Sequence, residues 1–201
     1  MNRIVFAGIL FLSAGGCALA PSDAQIGAQA LKVMKGSFKE RGQAKLDRLD
    51  QDETQRLCSL PSLEKGQKEE VEKINQASLR YPADGKLMGD WREGEKIAQS
   101  GVGKQFSDDP KRPAGGNCYA CHQLSKQEIS YGTIGPSLYN FGKTRGDAEA
   151  VQRYTYGKIY NPQAFSACSN MPRFGHNGIL TEAQLKHLVA LLLDLGSPVN
   201  K

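Results

Sequence analysis

The strongest apolar periodicity lies near the C-terminus, where Leu185, Leu188, Val189 and Leu192 recur at i, i+3, i+4 and i+7 behind a Thr181 to Gln184 capping box. Leu191, Leu193 and Leu195 widen that face, so the pattern predicts a helix buried on more than one side and ended by Gly196 and Pro198. A shorter helix is predicted behind Asp90 as N-cap, with Glu93 in its first turn and Gly101 as its stop. Trp91, Gly94, Ile97 and Ala98 share one face of it. Glycine in a contact face weakens a helix by up to about 1 kcal/mol relative to alanine. Two readings follow: another helix crosses closely there, or the glycine is a tolerated surface residue.

From Gln25 to about Tyr81 the chain is polar and rich in helix formers. Leu46, Leu49, Glu53 and Leu57 fall at near-helical spacing with a thin apolar stripe, and Val71, Ile74 and Ser78 share a face of a second helix with Ser62 as its N-cap and Pro82 as its stop. Helices this thinly apolar must lie against something else, either the following domain or another chain. Pro61 and the stretch "YPADG" at 81 to 85 punctuate the segment. Between the two apolar helices lies a loop-rich middle with one short helical stretch near Ala148 to Lys158, and nothing in it alternates as a sheet. A loop-rich centre of that length needs something to fold around.

At the N-terminus, Met-Asn-Arg precedes an apolar run from Ile4 to Leu12, the order of a signal peptide and too short to span a bilayer. Ala18 and Ala20 offer one cleavage site, and a cut after Ala24 is the alternative. Cys17, behind Ala14, Gly15 and Gly16, also reads as a lipid-attachment cysteine, although no leucine stands in the usual place before it. The expected organisation is therefore a signal peptide over 1–20, a helical extension over 25–85 and a domain over 86–201. No later stretch is apolar enough to cross a membrane.

The formal charge of +5 is mild, and its lysines and arginines are interspersed with carboxylates. That distribution disfavours nucleic acid and suits a partner with a partly acidic surface. The cations from Lys104 to Arg112 read either as a docking rim or as a solvated loop. Export changes the meaning of the cysteines, because a disulfide persists outside the cytoplasm.

Cys118-Tyr119-Ala120-Cys121-His122 is a C-x-x-C-H sequence, the attachment motif of c-type haem. Two thiols on one turn reach the two vinyl groups, and the adjacent imidazole supplies the first iron ligand. Three competitors are weaker. A thioredoxin-type redox pair lacks its strand-helix context, a tetrahedral zinc site lacks two further closely spaced ligands, and a disulfide across two residues is strained. One covalent haem c would also supply the apolar core that the loops lack.

The second nitrogen of a proximal histidine needs an acceptor, and the rigid turn "GTIGPSL" offers the Pro136 carbonyl; an ordinary Gly-Pro loop is the other reading. For the sixth ligand, Met171 in "CSNMPRFG" sits on a loop stiffened by Pro172 just before the terminal helix. Rivals are His176, His187, Met34 and Met88, with His187 expected at the helix surface. Cys58 and Cys168 remain, and oxidising export favours their pairing.

Taken together, "GNCYACHQL", "GTIGPSL", "CSNMPRFGHNGILT" and "SFKERGQAKLDRLDQDETQRLC" resemble the SoxX family, the mono-haem cytochrome subunits of the SoxAX complex of bacterial thiosulfate oxidation. The resemblance covers almost the whole mature chain. It implies an all-α class I cytochrome c domain behind the extension, haem attached at Cys118 and Cys121, and His122 and Met171 as axial ligands. It further implies a periplasmic heterodimer with a SoxA-like subunit that carries the catalytic haem. That complex, an L-cysteine S-thiosulfotransferase, couples thiosulfate oxidatively to a cysteine of the SoxYZ carrier. The subunit resembled here passes the released electrons to a soluble c-type cytochrome. No second C-x-x-C-H is present, so no catalytic residue is expected in this chain.

Overall fold

The computed structural model describes residues 20–201; the signal-like run and Cys17 lie outside them. The chain forms two compact units, one ending at Phe38 and the other spanning Lys39–Lys201. In the first, helix α1 (Asp23–Ser37) starts at a reciprocal Ser22 and Gln25 capping box and buries none of its residues. Among the described residues the secondary structure is helical, the one extended pairing being an isolated bridge between Arg41 and Ala44. No described helix is long and apolar enough to cross a membrane.

The second unit is built around α7 (Glu182–Leu193), in which every residue from Leu188 to Leu193 is buried, as is Leu185. Its Thr181 and Gln184 cap each other's ends as the pattern predicts. Leu195 does not join this face. The helix ends at Leu193, the chain turns at Asp194, and Leu195 is 64% exposed. α4 (Trp91–Gln99) runs against α7, capped by Asp90. A β-carbon on Gly94 would meet the His187 carbonyl, so the glycine marks a close helix crossing. His187 is not a surface residue: it is half-buried at that crossing, and its Nδ1 accepts the Asp90 amide at 2.9 Å. α5 (Phe141–Arg145) and α6 (Glu149–Tyr160) complete the shell around α7.

Residues 39–85 hold two further helices. The periodic stretch Leu46 to Leu57 is not one helix but a 3-10 turn, Leu46–Leu49, and a separate α2 (Glu53–Cys58). The break comes at Asp52, whose carboxylate accepts the Gln55 amide at 2.8 Å while Gln55 accepts the Asp52 amide. A cap of this kind starts a new helix. α3 (Lys65–Ala77) begins behind Glu64, not Ser62, because Glu64 has the reciprocal partner Gln67. Ile74 is exposed; the buried positions of α3 are Val71 and Asn75. Asn75 donates to Thr54 of α2 at 2.8 Å and accepts from Asn161 at 2.8 Å. These side chains are buried and mutually satisfied, which is how a thinly apolar helix docks on the body behind it.

Candidate haem-attachment site

The approach to Cys118 is stitched to the end of α4. Gly115 donates to the Val102 carbonyl, Gly116 to Ile97 and Asn117 to Ser100, at 2.7 to 3.0 Å. Asn117 then takes a left-handed conformation, φ 47°, and Cys118–Ala120 form a 3-10 turn. That turn sets both thiols and His122 within one compact loop, with the amides of Cys121 and His122 bonded to the Cys118 carbonyl at 3.1 and 2.9 Å. Both cysteines are free and half-buried.

Residues 131–138 fold back over the motif. Gly132 donates to Tyr119, Gly135 to Cys121 and Leu138 to Gln123, at 2.8 to 3.0 Å. This brings the Pro136 carbonyl oxygen to 2.7 Å from His122 Nδ1. A carbonyl can only accept, so Nδ1 is the donor in this contact. Gly135 lies so close to the imidazole that a β-carbon there would collide with it.

These features fit haem c. Burial pushes the Cys118 thiol up to about 12, which keeps it protonated and unlike a thiolate nucleophile. Among the described residues no three His, Cys, Asp or Glu side chains converge to hold a metal ion. The segment between α4 and α5 buries little besides Tyr119 and Leu124, so an apolar macrocycle would complete its core.

Met171 is half-buried and packs against the hydrophobic cluster that also takes Cys118, and so does Met88. Met34 lies on α1, in the first unit. His176 is exposed, yet its partial desolvation and the Arg173 charge lower its pKa, and Asp52 opposes them. The loop that carries Met171 is joined to the preceding helices at several points. Cys58 and Cys168 form a disulfide across 110 residues of sequence. Arg173 Nη2 donates to Asp52 Oδ2 at 2.6 Å, Gln76 donates to the Ala164 carbonyl at 3.0 Å, and Glu72 accepts the Ala167 amide at 3.1 Å. Burial alone would raise the Asp52 carboxyl, but the Gln55 amide and the Arg173 guanidinium outweigh it and hold it low. The cations of the loop from Lys104 to Arg112 stay exposed, while its backbone accepts from Arg48 and Gln43.

Several of these residues carry little sequence signal. Asp52 could have been found from the D-x-x-Q cap that it forms with Gln55. Asn75 is a polar residue one turn after Val71, and Arg173 is one arginine in a loop; neither pattern announces burial.

The chain matches the family model described as "Cytochrome c" over residues 93–196. It is 37% identical to an "Uncharacterized lipoprotein" of Aquifex aeolicus (strain VF5) over 212 aligned positions, which cover 100% of this chain and 99% of that protein. Among solved structures, a chain of "Crystal structure of SoxXA from P. pantotrophus" is similar at 23% identity and a TM-score of 0.39, covering 60% of this chain and 96% of that one. With its helical body and the match to more than half of its length, the chain belongs to the cytochrome c family, all-α electron-transfer proteins of the class I fold that hold a covalently bound haem c.

Proposed function

We propose that this chain is the electron-transfer subunit of a SoxAX-type cytochrome. It takes up electrons released when a SoxA-like partner couples thiosulfate to a SoxYZ cysteine, and passes them to a soluble c-type cytochrome. It thereby serves a haem-dependent L-cysteine S-thiosulfotransferase without holding a catalytic residue itself. What carries the reading is one combination: a C-x-x-C-H cytochrome body whose Cys168-Ser169-Asn170-Met171-Pro172-Arg173 run is disulfide-bonded to a helical extension. A freestanding electron shuttle needs no such extension.

In this reading Cys118 and Cys121 would anchor the haem as thioethers, and His122 Nε2 would hold its iron. The Pro136 carbonyl holds the imidazole in one tautomer and orientation, which steadies the ligand and raises its basicity. Gly135 leaves room for the ring to sit against the loop. Met171 would hold the haem iron together with His122, a ligand pair that would suit electron transfer. When bound, the haem supplies a one-electron carrier.

Capturing the tagged protein from periplasmic extracts of cells grown on thiosulfate is expected to bring down a second, larger c-type cytochrome in stoichiometric amount. Recovery of a monomer with no haem-bearing partner would instead support the freestanding shuttle.

The chain is exported in either case. The similarity to an Aquifex aeolicus lipoprotein along the whole length favours a periplasmic form tethered through Cys17 over a soluble form cut after Ala20 or Ala24. Mass spectrometry of the mature N-terminus is expected to find acylated Cys17; a chain starting at Pro21 or Gln25 would refute the tether.

A further inference from the structure

The preceding helices hold the Met171 loop from outside, and their strongest non-covalent tie lies two residues from the methionine. The Arg173 side chain is only 8% exposed, whereas Asp52 is 42% exposed at the edge of α2. A guanidinium keeps its charge at any ordinary pH, so once buried it follows its carboxylate. Asp52 is itself fixed, because its other carboxylate oxygen caps α2 through the Gln55 amide. Pro172, with its restricted φ, stands between Arg173 and Met171 and stiffens the link between them. On the far side of Met171, Cys168 is disulfide-bonded in a left-handed conformation, φ 57°. Met171 therefore sits between two anchors, one covalent and one ionic, and both lead to the same short helix.

We infer that Asp52 and Arg173 are positioning residues for Met171. By holding the loop closed they set how readily the thioether leaves the iron. The inference rests on Met171 as the axial ligand. Its consequence is that α2, remote from the C-x-x-C-H motif in sequence, tunes access to the haem iron. The pair is a tie in addition to the disulfide, and its strength depends on charge where the other depends on a covalent bond.

The test uses the ferric holoprotein and the rate at which cyanide displaces the native ligand. Asp52→Asn keeps an oxygen for the Gln55 amide, since asparagine caps helices as well as aspartate, but removes the charge that faces Arg173. It is expected to bind cyanide about tenfold faster than the parent, because one partner of a partly buried pair is left unpaired. The charge-transfer absorption of the methionine-bound ferric iron should persist before cyanide is added. Arg173→Lys should give a smaller acceleration than Arg173→Ala, a rescue that general loosening of the loop would not produce. Gln55→Ala, which removes the reciprocal cap and leaves the ion pair, should leave the cyanide rate unchanged.

Met171→Ala separates the two levels of the argument. If it abolishes the methionine absorption while Asp52→Asn leaves the cyanide rate at the parent value, the positioning role is wrong and the ligand assignment stands. If Met171→Ala leaves the absorption intact, the assignment fails and the positioning role falls with it.

Discussion

Serine at both Cys118 and Cys121 is expected to yield a chain with no covalent haem and no cooperative unfolding transition. The reason is the poverty of the core between α4 and α5, where Tyr119 and Leu124 are the buried large apolar side chains. The loops there are held by backbone hydrogen bonds to α4 and to one another, and such bonds contribute about 0.5–1.5 kcal/mol each when they replace bonds to water. That cannot offset an ordering cost of about 1–2 kcal/mol per residue without apolar burial. Removing the macrocycle should therefore erase most of the about 5–15 kcal/mol that a domain of this kind has in reserve. Haem staining after denaturing electrophoresis reports the attachment, and far-ultraviolet circular dichroism during a urea titration reports the fold. A haem-free double variant with full helical signal and a sharp transition would show that α4 and α7 pair without the cofactor.

The second large effect concerns the disulfide. A closed loop of 110 residues removes much of the unfolded chain's freedom, and the chain-entropy model gives about 4–5 kcal/mol for a loop of that size. Cys58→Ser with Cys168→Ser should thus lower the stability of the holoprotein by about 3–5 kcal/mol, or its melting temperature by about 10 °C. The slope of stability against denaturant should rise, because the unfolded chain without the cross-link is less compact, while the native state is unchanged if α2 and α3 remain docked. The buried Asn75, Thr54 and Asn161 contacts give reason to expect that they do. A loss under about 1 kcal/mol would mean that these contacts already hold the segment in the reduced, unfolded reference chain.

The all-α class, the capping of α4 and α7 and the close approach at Gly94 were legible because each rests on local chemistry: a cap residue, a 3.6-residue apolar repeat or a missing side chain. What misled was also local. Leu46 to Leu57 carries a helical repeat, but an aspartate in its midst offered a better helix start than a helix interior. Ile74 fitted an apolar stripe, yet α3 turns Asn75 inward because the surface it meets, around Thr54 and Asn161, is polar. Periodicity counts apolar residues and is blind to a buried face made of amides. The ring of His187 is engaged by the Asp90 amide from another helix, a contact that no spacing along the chain could announce.

At the C-x-x-C-H motif the legible part was the contact of His122 with the Pro136 carbonyl, which the rigid Gly-Pro turn announces in sequence. The part that was not legible is the support of the Met171 loop by Glu72 and Gln76, which look like solvated polar residues on a charged helix, and by Asp52, whose cap announces a helix start but not its ion pair with Arg173. Such residues become visible only when the loop they meet is in place.

The crossing of α4 and α7 also bears on the order in which the molecule is assembled. Among the described residues α7 follows every other α-helix, and the contact at Gly94 and His187 joins it to the helix just ahead of the C-x-x-C-H motif. A chain delivered N-terminus first therefore presents Cys118 and Cys121 before the helix that closes the core has arrived. The two thiols thus emerge while α4 still lacks the helix it packs against.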